Sequence, residues 1–110
     1  MKKKLLVSLA AAAIAGALSM SAMAAETISF WNIATDEPDK TLWTYAVDAY
    51  NTNDSADSGY TVEQVATVND QYKQTLAIAM ASGECPDMYI HWTGGPMVEY
   101  INSGYAQDIT

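Results

Sequence analysis

Cysteine is almost missing from this sequence. Cys85 is the single one among 110 residues. One thiol closes no internal disulfide, so a cross-linked mini-scaffold is excluded and the fold must rest on an apolar core. Basic residues are scarce as well. All five are lysines, three of them at positions 2 to 4, against thirteen Asp and Glu. Nucleic acid and anionic lipid surfaces both demand a basic footprint, and this balance speaks against either as a partner. There is one histidine, His91, and neither an H-x-x-x-H nor a C-x-x-C spacing. Thiol and imidazole therefore lack the companions that a closed metal site or a nucleophile-base pair requires. No catalytic residue, metal ligand or cofactor is assigned. Cys85 reads as a small residue in the turn before Pro86, and His91 as a packed or hydrogen-bonded strand residue.

Long apolar runs are also absent, with one exception at the start. Lys2 to Lys4 precede the charge-free stretch Leu5 to Leu18, and Ala22-Met23-Ala24 supplies the small-x-small pattern of a signal-peptidase site. A membrane anchor needs roughly 20 consecutive apolar residues, and this run is interrupted by Ser8 and Gly16. Residues 1–24 thus read as a signal peptide, cleaved after Ala24. No cysteine stands at the cleavage point, so no lipid tether is expected and the product is expected to be soluble, in the periplasm or secreted. What remains, residues 25–110, carries Lys40 and Lys73 against all thirteen acids, a net charge of -11, and all eleven aromatics. Aromatics in that number belong to a folded domain and not to a disordered acidic tail.

Along residues 25–110 two hydrophobic periods alternate. Thr27 to Ile33 is rich in β-branched and aromatic residues on both alternating faces and predicts a strand buried on both sides. Pro38, after Asp36-Glu37, suits a helix start, and Leu42, Ala46, Ala49 and Tyr50 predict its apolar face. Asn51 to Gly59 reads as a polar loop. The alternation of Tyr60, Val62, Gln64 and Ala66 predicts a half-exposed edge strand. Asn69 is placed to cap a second helix, with Tyr72, Leu76, Ala79 and Met80 facing inward and Gly83 as its stop. Met88 to Trp92 predicts a third strand, and Gly94-Gly95-Pro96 leads into a short helix with Met97, Tyr100 and Ile101, closed by Gly104.

The order β-α-β-α-β-α predicts an α/β fold with parallel strands. Two doubly buried strands and one edge strand are satisfied by the spatial order 2-1-3. Such a sheet binds ligands beyond the carboxyl ends of its first and third strands, where the winding direction switches. A bare third strand is a long open edge of a kind proteins avoid, so the chain reads as a fragment.

Three runs stand in order in the second half: Tyr72-Lys73-Gln74-Thr75-Leu76, then Ala81-Ser82-Gly83-Glu84-Cys85-Pro86-Asp87-Met88, then Ser103-Gly104-Tyr105-Ala106-Gln107-Asp108-Ile109-Thr110. Together with Phe30-Trp31-Asn32 and Gly94-Gly95-Pro96, they resemble the amino-terminal part of a family 1 extracellular solute-binding protein of an ABC importer, the group that includes many sugar receptors. The resemblance covers Thr27 to Thr110. It implies the start of the first lobe of a type II periplasmic-binding-protein fold, with the second lobe absent. It further implies capture of a solute, commonly a mono- or oligosaccharide, and delivery to a membrane permease.

The candidate ligand-binding residues are those at the switch point: Asn32, Asp36 and Glu37 after the first strand, and Trp92, Thr93, Gly94 and Gly95 after the third. A flat amphipathic ring such as Trp92 covers the apolar face of a sugar, amides and carboxylates bond its hydroxyls, and glycines let backbone N–H groups approach. Acids at a helix start are also stabilised there without any ligand. Trp31 is expected in the core, the tyrosines mostly in packing, and Asn69 and Asp70 in capping. Asn53 to Asp57 matches a calcium loop only loosely and reads as a solvated turn. Two alternatives stay open. The acidic balance also suits a receptor for a cationic solute such as a polyamine. A secreted hydrolase would need paired carboxylates at a defined separation, which adjacent Asp36 and Glu37 do not supply.

Overall fold

The computed structural model describes residues 24–110, so the expected leader lies outside the described residues except for Ala24. The elements follow as β1 (Glu26–Asn32), α1 (Asp39–Asn53), α2 (Ser55–Ser58), β2 (Tyr60–Ala66), α3 (Asn69–Ser82), β3 (Met88–Tyr89) and α4 (Gly95–Asn102). The fold is α/β, and the sheet has the order β2-β1-β3 with both pairings parallel. β1 pairs with β2 from Glu26↔Tyr60 to Asn32↔Ala66, and with β3 through Phe30↔Met88 and Trp31↔Tyr89.

Alternate side chains of β1 serve opposite faces, as the pleat requires. Phe30 meets Trp43 of α1, with ring centroids 5.0 Å apart. Trp31 and Ile33 pack instead on Tyr72, Leu76 and Met80 of α3, which are buried. Helices therefore cover both faces at the carboxyl end of β1, where Phe30 and Trp31 stand. The inward face expected for α3, Tyr72, Leu76, Ala79 and Met80, is the observed one. The helix stops at Gly83, whose φ of 77° is the left-handed conformation that glycine adopts at least cost, and whose N–H returns to the Ala79 and Met80 carbonyls.

Several local expectations are corrected. The third strand is two residues long, not the five from Met88 to Trp92. One more ladder bond, from Ile90 N–H to the Trp31 carbonyl, follows at 3.0 Å. Beyond it β1 curls away, because Asn32 Oδ1 accepts the Ala34 N–H at 3.0 Å and the Thr35 N–H turns back to the Ile33 carbonyl at 2.8 Å. His91 and Trp92 then have no strand to pair with. The stripe that α1 turns to the sheet keeps Ala49 and Tyr50 of the expected set, both half-buried, with Ala46 in the same hollow as Tyr50, and departs from it at Leu42. Leu42 is 62% exposed, while Trp43, Val47 and Tyr50 lie over Ile28, Phe30 and Val62. The indole is the largest apolar surface on the helix, and burying it on Phe30 outweighs burying Leu42.

Asn51 to Gly59 is not an open loop, since α1 runs to Asn53 and a single turn, α2, follows. The side chain of Asn51 explains the tight connection: its Nδ2 donates to the Val62 carbonyl and its Oδ1 accepts the Val62 N–H, both at 2.8 Å. The amide thus serves the exposed edge of β2 as a short strand would. Asn69 does not cap α3. Val68 holds the cap position with an extended backbone and accepts the Tyr72 N–H at 2.8 Å, with no side-chain cap bond.

The entry to β3 is pinned to β1 by Asp87. Its carboxylate accepts the Ser29 N–H at 2.8 Å and the Ser29 hydroxyl at 2.9 Å, while the Asp87 N–H donates to Ser29 Oγ at 2.9 Å. These donors, the backbone N–H foremost, hold the Asp87 carboxyl below its ordinary range. The Pro-Asp pair of the sequence run is thereby given a physical task, that of setting the β1–β3 register.

Candidate functional site

Parallel strands put their carboxyl ends at one end of the sheet, so the segment after β1, the first turn of α3 and the segment after β3 gather there. A cavity of about 350 Å³ opens at this end on the α3 side, lined by Lys73, Leu76, His91, Trp92, Pro96 and Tyr100. Its wall is aromatic. The half-buried Trp92 sets its ring against Tyr72, with centroids 5.9 Å apart and planes at 73°. The His91 ring lies 4.2 Å from that of Tyr100, which in turn meets Tyr89 and Tyr105 at 6.1 and 5.6 Å. The Tyr89 hydroxyl donates to the Tyr105 carbonyl at 2.7 Å, tying the chain after α4 to this cluster. Burial raises the phenol pKa of both Tyr89 and Tyr100.

Two cationic or basic side chains enter this aromatic wall. Lys73 Nζ stands over the Trp92 ring at 4.9 Å from its centroid, a cation–π geometry. His91 Nδ1 is 2.9 Å from the Trp92 carbonyl oxygen. A carbonyl can only accept, so Nδ1 carries the hydrogen in this contact. Indole, phenol, imidazole and ammonium around one hollow can stack on an apolar ring face while exchanging hydrogen bonds at its edge.

The residues expected at the site are distributed unequally. Trp92 lines this cavity, and Thr93, Gly94 and Gly95 follow it as an exposed segment leading into α4. Gly94 takes φ 97°, a backbone that admits glycine, and its carbonyl accepts the N–H groups of Met97 and Val98. Asn32 is fully buried, with its Nδ2 lacking a hydrogen-bond partner among the described residues. Asp36 and Glu37 are exposed and line no part of the Trp92 cavity. Glu37 accepts the Thr41 N–H at 3.2 Å, serving the start of α1. Trp31 packs on the core cluster, as expected of it.

A second hollow of about 450 Å³ lies at the α1 side, lined by Ala34, Thr35, Lys40, Thr44, Val47, Asp48, Gln64 and Ala66. Among the described residues no group of three or more His, Cys, Asp or Glu could hold a metal ion. Lys73, Tyr100 and Pro96 were not among the expected site residues. Lys73 lies in the second turn of α3, so the rule that this helix begins at the carboxyl end of the sheet does not by itself single it out.

No family model matches this sequence, and no curated protein matches it. One solved chain does resemble it. That chain comes from work on xylan utilization by the thermophilic bacterium Caldanaerobius polysaccharolyticus, and the two are 36% identical with a TM-score of 0.58. The match covers 66% of the present chain and 19% of the other, so this chain spans about a fifth of the length of its solved neighbour. The likeness is one of sequence as well as of backbone.

Proposed function

We propose that this chain is part of an extracytoplasmic receptor that captures a mono- or oligosaccharide and hands it to an ABC permease, and that it is not a catalyst. The observation that carries the reading is the Trp92 cavity at the carboxyl end of a parallel sheet of order β2-β1-β3, the place where such sheets take ligands. The likeness to a chain from a study of xylan utilization supports a plant-polysaccharide oligomer as the class of solute. In this reading Trp92 stacks on a sugar ring, and Thr93, Gly94 and Gly95 offer backbone and hydroxyl groups at the rim. Asp36 and Glu37 stand outside this cavity and are left to the start of α1, and Asn32 holds the β1 turn in place from beneath. Export follows cleavage after Ala24. A polyamine is disfavoured by the lining itself, which offers no carboxylate and already holds an ammonium.

Calorimetric titration of the exported full-length protein, whose mass should show Ala25 as first residue, separates the readings. Xylooligosaccharides are expected to give saturable binding and spermidine none. Spermidine binding with no response to sugars would overturn the proposal.

A further inference from the structure

We propose that the Trp92 cavity selects a carbohydrate bearing a carboxylate, a uronic-acid sugar, with Lys73 as the counter-ion. The inference rests on the reading of this cavity as a sugar site. Residues 25–110 hold only two lysines against thirteen acids, and one of the two stands in the aromatic hollow. The other, Lys40, shares both of its hollows with the carboxylate of Asp48. Lys73 shares its cavity with Leu76, His91, Trp92, Pro96 and Tyr100, none of them acidic. A positive charge is thus uncompensated by the lining in the very place where the sugar would lie.

The indole face beneath Nζ favours the ammonium at that spot, so a ligand carboxylate meets a positioned charge and not a freely rotating one. A molecule with an excess of acids repels anions at long range, and discrimination in favour of one must come from a close, weakly screened contact of this kind. One ammonium balances one carboxylate, whereas a phosphate dianion would remain half compensated. With Nδ1–H directed to the Trp92 carbonyl, the other ring nitrogen of His91 is left to face a sugar hydroxyl.

Paired titrations of the full-length protein with xylotriose and with xylotriose carrying a glucuronosyl substituent test this. The native protein is expected to bind the acidic sugar about tenfold tighter or more. Lys73→Met keeps an apolar stem over the indole and removes the charge. It is expected to bring the affinities for the acidic and the neutral sugar together, whatever it does to each alone. Equal affinities in the native protein, a preference for xylotriose, or a preference that survives in Lys73→Met would overturn the role of Lys73 and leave the sugar site standing. Failure of both sugars to bind would overturn that reading as well.

Discussion

Tyr72 joins the core to the site. Its ring is 1% exposed, and its hydroxyl lies 2.7 Å from the Ile90 carbonyl and 3.1 Å from that of Trp31, so the proton goes chiefly to Ile90. That bond serves the carbonyl at the point where β3 stops pairing, and the same ring supports Trp92. Burial pushes the phenol up to about 12 from its ordinary 10.0. The folded value is the higher one, so the contribution of Tyr72 to stability is complete below pH 10 and is lost as pH rises from 10 through about 12. Tyr72→Phe should cost about 1 to 2 kcal/mol at neutral pH, the worth of a hydrogen bond whose acceptor is left buried. It should also flatten the fall in stability across that alkaline window, although Tyr89 and Tyr100 keep part of the slope. Urea unfolding at a series of pH values measures both effects, and an unchanged alkaline slope in the variant would contradict this role for the phenol.

Among the elements, the inward face of α3 was legible in the sequence because its four apolar residues leave only one way to turn the helix, whereas its cap at Val68 and not Asn69 was not. For α1 the pattern was ambiguous. Leu42, Ala46, Ala49 and Tyr50 form one apolar stripe, and Trp43, Val47 and Tyr50 form another beside it. Periodicity cannot rank two stripes that differ by one residue, whereas contact can, since Phe30 offers a partner to the indole. The expected consequence is a reversal of what hydropathy alone would forecast. Trp43→Ala should lose about 2 kcal/mol, below the usual cost of a fully buried aromatic because Trp43 is half-buried. Leu42→Ser should stay within about 0.5 kcal/mol. Thermal melts of the two variants decide it, and a larger loss from Leu42→Ser would mean that the helix is rotated from the position described. The short β3 was illegible for a different reason. Its apolar run does continue to Trp92, but the Asn32 turn withdraws the partner strand, and that depends on a side-chain bond which no hydropathy pattern records.

For the molecule as a whole, the strand order agrees with the expected one, although the third strand is not buried on both faces as expected: it is an edge, with Met88 48% exposed and Tyr89 half-buried. Membership of the site agrees only in part. Trp92 was placed by its position after the third strand, but Lys73 and Tyr100 reach the same cavity from α3 and α4, and only the packing of those helices brings them to it. Asp36 and Glu37 share the same end of the sheet on the sequence argument, yet α1 engages Glu37 at its own first turn. The central claim is that the indole of Trp92 is a sugar platform, and calorimetric titration of Trp92→Ala with xylotriose tests it most directly. The titration belongs at a temperature where circular dichroism shows the variant folded, because Trp92 also packs on Tyr72. Loss of the stacking surface should weaken binding by about tenfold, since roughly 1.4 kcal/mol is one decade of affinity. A folded Trp92→Ala protein that binds xylotriose as tightly as the native one would contradict the account.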